Sequence, residues 1–172
     1  MSTVRLVPLA LEHLSTIREI MRDPEVLRFT RTPDPMPEGW LREWFSRYDG
    51  LDRFAFAILE GDEVVGYAVA FSMSREDSEV ELGYALGPRA RGRGIATEAL
   101  TLLTRWAFDE GMIRVVAGIS VDNPASSRVV EKVGYTFEGV LRSVHHVDGK
   151  RVDLQSWSIL PGELSDDPMP AT

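Results

Sequence analysis

The most informative stretch of this chain is Glu81–Leu100, ELGYALGPRARGRGIATEAL. It opens with the alternation of a strand, passes through a segment of glycine and arginine, and ends in a helical pattern. A loop between a strand and a helix can aim several backbone N–H groups at an anion. Gly92 and Gly94 permit the unusual dihedral angles this requires, and three arginines add positive charge. The stretch therefore predicts a binding site for a phosphate or pyrophosphate.

Two better-known phosphate loops do not fit this stretch. A P-loop would start at Gly87, but Arg93 then replaces its lysine and Gly94 its serine or threonine. A dinucleotide fingerprint could use Gly92 and Gly94, but its third glycine or alanine position is Thr97. An unrelated nucleotide-phosphate-binding α/β protein is therefore disfavoured.

The segments around the loop predict a mixed α/β sheet with flanking helices. Two strand–helix–strand units follow residue 79 and predict a parallel pair with a right-handed crossover, whereas the first half is rich in hairpins. Strands are predicted at 5–8, 54–60, 64–72, 79–86, 113–121, 135–141 and 151–159. Helices are predicted at 11–22, 38–48, 95–110 and 124–133, with a short helical turn at 25–30.

The length of 172 residues fits one domain, which we expect to span residues 1–160. The final segment 161–172 is rich in proline and aspartate with little to bury, so we expect a loose C-terminal tail. The chain has no cysteine, which excludes disulfides and thiolate chemistry and fits a cytoplasmic protein.

The charge and hydropathy of the chain limit the classes of partner that we expect. A net charge of −8 disfavours nucleic acid as a partner and weakly favours a cationic one. The longest apolar run, Val64–Phe71, is too short to span a bilayer, so we expect no membrane partner. No cluster of histidine, aspartate and glutamate has metal-ligand spacing, so we expect no metal site.

The order of motifs resembles the GNAT N-acetyltransferase superfamily, in its RimJ/RimL-type branch. The similar segments are Glu81–Leu100, Val121–Gly139 (VDNPASSRVVEKVGYTFEG) and the start of the chain, and the resemblance covers about residues 4–160. It implies a mixed, mostly antiparallel sheet with a central parallel strand pair. It also implies acetyl-CoA as co-substrate and a primary amine as acceptor, and a homodimer is a family-level expectation.

The resemblance also implies positions for the co-substrate. The strand ending at Leu86 would splay from the strand ending near Val121, and backbone groups of Tyr84 and Leu86 would pair with pantetheine between them. Asn123 and Ser126 would contact the cofactor near its thioester and pantetheine. The backbone N–H groups expected to hold the pyrophosphate are those of Arg91, Gly92, Arg93, Gly94, Ile95 and Ala96.

Acyl transfer to an amine needs a base for the amine proton, and an acid assists the leaving thiolate. Many GNAT enzymes carry an acidic tyrosine where this chain has Val130. Ser126 matches a serine proposed in the RimJ/RimL-type branch to assist the thiolate. His145 stands roughly where that branch can place a carboxylate base, and Glu81 could act instead through water.

Several functions remain open from the sequence. The acceptor could be a protein N-terminus or a small amine such as an aminoglycoside, polyamine or amino acid. The donor could carry a longer acyl group, such as succinyl. Because Val130 removes the simplest acid, a non-catalytic acyl-CoA-binding or sensing module is the alternative function.

Overall fold

A computed structural model describes residues 3–165 as a seven-stranded sheet with helices on both faces. The strand order is β1-β2-β3-β4-β5-β7-β6, and only the β4–β5 pair is parallel. The predicted mixed, mostly antiparallel sheet with one central parallel pair is therefore confirmed. The strands are β1 (Val4–Pro8), β2 (Phe54–Glu60), β3 (Glu63–Ser74), β4 (Glu79–Leu86), β5 (Arg114–Ser120), β6 (Thr136–Val147) and β7 (Lys150–Ile159). The helices are α1 (Leu14–Met21), α2 (Pro24–Phe29), α3 (Trp40–Ser46), α4 (Ile95–Asp109) and α5 (Pro124–Val133).

Two apolar cores lie on opposite faces of the sheet. One packs α4 and α5 against the sheet through buried residues such as Val80, Leu103 and Val130. The other packs α1 to α3 against the opposite face, around Ile17 and Tyr67. Neighbouring residues of a strand point to opposite faces, so alternate residues of β4 meet different helices.

Several element boundaries differ from the sequence prediction. The helix predicted at 11–22 begins as a 3-10 turn, Leu11–His13, and Leu11 is 60% exposed rather than buried. The helix predicted at 38–48 is shorter, because Gly39 at its start has a φ of +78°. Strand β6 runs on to Val147 past the predicted end at 141, through a register shift between Leu141 and His145.

The first residues of the predicted tail pack onto the domain. Leu164 is 5% exposed, and the Ser165 N–H donates to the Val133 carbonyl oxygen at 3.1 Å, at the end of α5. Leu164 is thus a buried apolar residue within a segment whose overall composition is polar. The remainder of the predicted tail, 166–172, lies outside the described residues. Within residues 3–165, no helix is long and apolar enough to cross a membrane.

Candidate active site

The central parallel pair opens into a split. Strands β4 and β5 pair only between Glu79–Glu81 and Arg114–Val116. Beyond these residues β4 continues to Leu86 and β5 to Ser120 without pairing to each other. The divergence expected from the family resemblance is therefore present, and Glu81 stands at the point where the split begins.

The backbone of β4 turns polar groups toward this split. The Gly87 N–H donates to the Val65 carbonyl oxygen at 2.8 Å, which makes Gly66 and Leu86 a non-hydrogen-bonded pair of the antiparallel ladder. The N–H and C=O of Leu86 therefore point away from β3 and toward the split. The same holds for Tyr84, two residues earlier, so the backbone groups singled out in the sequence face the expected direction.

The glycine–arginine loop leads from the split to the N-terminus of α4. Gly92 and Gly94 have φ values of +70° and +81°, a region that favours glycine. A Cβ at either position would meet nothing within 4 Å, so backbone conformation and not crowding selects glycine there. Gly94 provides no side chain to cap α4. The first N–H groups of this helix thus stay available to an anion, as a pyrophosphate requires.

Two of the three loop arginines are already paired with acidic side chains. Arg91 pairs with Asp23 and also donates from Nη2 to the Leu86 carbonyl oxygen at 2.9 Å. Arg93 makes two contacts with the Glu60 carboxylate, at 2.9 and 2.5 Å. These arginines anchor the loop to α2 and β2. The positive charge that the sequence predicts for this loop is therefore balanced by carboxylates at two of its three arginines.

A hydroxyl cluster lies on the α5 side of the split. The Asn123 side chain caps α5 by accepting from the Ser126 N–H at 3.2 Å, and its Nδ2 donates to Ser126 Oγ at 3.1 Å. The Tyr84 hydroxyl lies 3.2 Å from the same Oγ. Burial raises the pKa of Tyr84 while the Ser126 hydrogen bond lowers it, so the phenol stays protonated at neutral pH. Sequence reasoning used only the backbone of Tyr84 and missed this contact.

The absent family tyrosine has no direct substitute at its own position. Val130 is 0% exposed and belongs to the core that α4 and α5 form with the sheet. The nearest hydroxyls that the structure brings to the α5 side of the split are those of Tyr84 and Ser126.

Glu81 lies on the opposite face of the sheet from Tyr84, because the two are three residues apart on β4. Its side chain leans over β5, since a Cβ on Gly118 would come within 3.2 Å of Glu81 Oε1. Burial raises the pKa of Glu81, the Arg31 guanidinium lowers it, and Glu79 raises it. The neighbouring Glu79 is itself ion-paired with Arg114 at 2.6 Å. Glu81 is therefore a half-buried carboxyl at the fork of the split.

Arg31 and His145 meet on the same side as Glu81. Arg31 Nη2 lies 3.3 Å from His145 Nδ1, which joins the loop after α2 to strand β6. Burial lowers the pKa of His145, and Arg31 and His146 lower it further. His145 is therefore neutral at pH 7, with its Nδ1 lone pair directed at Arg31. Sequence reasoning proposed His145 and Glu81 separately and did not identify Arg31.

Two concavities lie beside α1 and not at the split. One of about 470 Å³ is lined by residues of α1 together with Asp23 and Pro88, next to the loop anchor. The other, of about 510 Å³, lies between α1 and the start of α3. Neither is lined by Glu81 or Ser126. Among residues 3–165, no three histidine, aspartate or glutamate side chains converge as a metal site would require.

The chain thus folds as a mixed sheet with helices on both faces, and its one parallel strand pair opens into a split. The model of the acetyltransferase (GNAT) domain family matches residues 3–136. The chain therefore belongs to the GNAT family and is an acetyl-CoA-dependent N-acyltransferase.

Three relatives illustrate the similarity. The uncharacterized N-acetyltransferase p20 of Bacillus licheniformis is 25% identical over 90% of this chain and 91% of its own. A T. thermophilus protein described as an acetyltransferase is 36% identical, with a TM-score of 0.80 over 93% of this chain and 87% of its own. RimL, a ribosomal L7/L12 α-N-protein acetyltransferase solved with coenzyme A, is 19% identical, with a TM-score of 0.84 over 93% and 95% of the two chains. The likeness to RimL concerns the fold.

Proposed function

We propose that this chain transfers an acetyl group from acetyl-CoA to a primary amine, on a protein N-terminus or a small molecule, by direct attack on the thioester. The observation that carries the proposal is the split between β4 and β5, with Ser126 on one side and Glu81 on the other. A donor lying in the split is thus open to an acid from one face and to an amine and a base from the other. No enzyme nucleophile is needed, in agreement with a chain that has no cysteine.

The donor side is proposed to bind acetyl-CoA through backbone groups. The N–H groups of residues 91–96 hold the pyrophosphate, because two positive-φ glycines and an uncapped helix N-terminus leave most of them without a partner. The Arg91 N–H, which donates to the Pro88 carbonyl oxygen at 3.5 Å, would exchange this long hydrogen bond for the anion. Backbone groups of Tyr84 and Leu86 bind pantetheine along the split. When bound, acetyl-CoA supplies an activated acetyl thioester. The Leu86 N–H, which points toward the split, is proposed to donate to the carbonyl oxygen of the thioester.

Glu81 is proposed as the general base. An α-amino group has a pKa of ~8 and a lysine amine ~10.4, so the acceptor must lose a proton before it attacks. Burial raises the pKa of Glu81, which makes it a stronger base than an exposed carboxylate. His145 is the weaker candidate, because its Nδ1 lone pair faces Arg31. We assign His145 to orienting Arg31.

Ser126 is proposed to assist the leaving thiolate. A hydroxyl has two acceptor lone pairs and one proton to donate. Asn123 Nδ2 donates to Ser126 Oγ, and the protonated Tyr84 hydroxyl is placed to donate to it as well. With both lone pairs occupied, the Ser126 proton is directed to a third partner in the split. Tyr84 and Asn123 thus act as positioning residues.

The proposal also includes the compartment and the oligomeric state of the protein. We propose that the reaction takes place in the cytoplasm, which the absence of cysteine fits. We also propose a homodimer, on family grounds alone.

The test combines binding with turnover. Thiol release from acetyl-CoA is measured across amines that include short peptides, free amino acids, aminoglycosides and polyamines, beside the thermal shift that acetyl-CoA causes. We expect a higher melting temperature with acetyl-CoA and thiol release with one class of acceptor. A thermal shift without release from any amine would instead support the non-catalytic acyl-CoA-binding module. The absence of any shift would contradict the assigned donor site.

A further inference from the structure

We propose that Arg31 is a specificity-determining residue and that the acceptor amine carries a carboxylate close to its nitrogen. This inference rests on the proposed function, because it concerns the acceptor side of the same split. It deepens that function by naming the charge of the acceptor, which the family assignment leaves open.

The first step is the position of Arg31. It belongs to the loop between α2 and α3, and its guanidinium reaches His145 on β6, 114 residues away in sequence, at 3.3 Å. The guanidinium also acts electrostatically on Glu81, the proposed base. Arg31 therefore bridges two separate segments on the face of the sheet from which the amine approaches.

The second step is the state of its charge. In the part of the chain that the structure describes, no carboxylate lies within ion-pair distance of Arg31. Its contact is with a histidine that is itself neutral. The nearby Glu79 forms an ion pair with Arg114 and not with Arg31. Arg31 is exposed and interacts electrostatically with Glu81 without forming an ion pair, so a ligand carboxylate can still approach its guanidinium beside the base.

The third step is the consequence for the acceptor. An ammonium approaching Glu81 is attracted by that carboxylate and repelled by Arg31. A polycation such as a polyamine brings further positive charges to the same place and gains nothing from Arg31. An amine with a nearby carboxylate satisfies both groups, because its nitrogen faces Glu81 while its carboxylate accepts charge-assisted hydrogen bonds from Arg31. The local charge of the site therefore opposes the preference for cations that the net charge of −8 suggested.

Two sources supply this chemistry: a free amino acid, and a peptide N-terminus with an acidic side chain at its second residue. The experiment uses two pairs that differ in one carboxylate, serine against serinamide and Ser-Glu-Ala amide against Ser-Gln-Ala amide. Each kcat/KM is calculated for the unprotonated amine, because the carboxylate also raises the pKa of the amine. The quantity measured is the ratio of kcat/KM within each pair, for the wild type and for Arg31→Gln. Because each amine has the same pKa with both enzymes, the change in ratio isolates Arg31. The pair that responds identifies the source.

We expect the wild type to prefer the carboxylate member of one pair by about 10- to 100-fold, the size of a charge-assisted hydrogen bond. Arg31→Gln should reduce this ratio to near one, Arg31→Lys should restore part of it, and Arg31→Glu should reverse it. Lys132→Gln, which removes an exposed positive charge from α5 on the other face, is the matched control and should keep the wild-type ratio.

Two failures are distinguishable. Thiol release with equal kcat/KM for both members of each pair, or a preference that survives Arg31→Gln, would overturn this inference and leave the acetyltransferase intact. If the wild type releases thiol with no amine of any charge, the proposed function fails and the inference fails with it.

Discussion

The proposed donor and acceptor sides of the split are built in different ways. The proposed donor side is local: its backbone groups come from one stretch, Tyr84 to Ala96, and Asn123 and Ser126 come from one helix start. The acceptor side joins residues from a loop, a central strand and the last hairpin. The donor side relies on backbone geometry, which tolerates changes in most side chains. The acceptor side relies on charged side chains, so its specificity can change through single substitutions.

The largest expected effect lies on the acceptor side. Glu81→Gln keeps the size of the side chain but removes the base, so kcat should fall by about 10²- to 10⁴-fold, with little change in the KM for acetyl-CoA. Steady-state thiol release measures both constants. Glu131→Gln, an exposed carboxylate on α5, is the control and should behave as the wild type. Wild-type turnover by Glu81→Gln would remove Glu81 from the mechanism.

The next effect tests the hydroxyl cluster of the donor side. Ser126→Ala should lower kcat about tenfold, because it removes one hydrogen bond to the leaving thiolate. Tyr84→Phe should lower kcat by a smaller factor, since Ser126 retains its bond from Asn123. The double variant should be no slower than Ser126→Ala, because Tyr84 acts through Ser126. Strictly multiplicative effects would show that Tyr84 acts independently. Ser127→Ala is the matched control, because the Ser127 hydroxyl donates to Gln155 Oε1 at 2.9 Å and touches only the backbone oxygen of Asn123, at 3.4 Å.

Two glycines flank helix α4, Gly94 in the donor loop at its start and Gly111 after its end, and they can be compared. Gly94→Ala should raise the KM for acetyl-CoA about tenfold, because a distorted loop weakens a charge-assisted hydrogen bond to the pyrophosphate. Gly111→Ala at the other end of α4 also places alanine at positive φ with open space around it. Both variants should lose about 1–2 kcal/mol of folding stability from this strain, measured by denaturant unfolding. An equal KM for acetyl-CoA in the two variants would contradict the loop's role.

The smallest effect is on pH dependence. The Arg31 guanidinium lowers the pKa of Glu81, so Arg31→Gln should raise that pKa. A base is active only when deprotonated, and activity is lost as the pH falls through its pKa. The acid limb of the kcat profile should therefore move to higher pH in Arg31→Gln. An unmoved limb would show that a group outside the influence of Arg31 controls it.

The same contrast explains what the sequence could predict. The order of strands and helices and the parallel pair follow from local patterns, and these predictions agree with the structure. Gly92, Gly94 and the Asn123 cap also have the expected backbone roles, whereas donor binding by the loop stays a prediction. The pairing of Arg91 with Asp23 and of Arg93 with Glu60 depends on contacts between distant segments. No local pattern marks Arg31 either, because its partner lies on β6. The burial of Leu164 could not be predicted either, because a single apolar residue among polar neighbours forms no recognisable pattern.

The most direct test of the account is the structure of this chain with coenzyme A, measured by crystallography. We predict the pyrophosphate on the N–H groups of residues 91–96, pantetheine along the backbone of Tyr84 and Leu86, and the sulfur within about 3.5 Å of Ser126 Oγ. Glu81 should then lie across the sheet from Ser126, open to the acceptor. A pyrophosphate bound elsewhere, or a sulfur remote from both Ser126 and Glu81, would contradict the account.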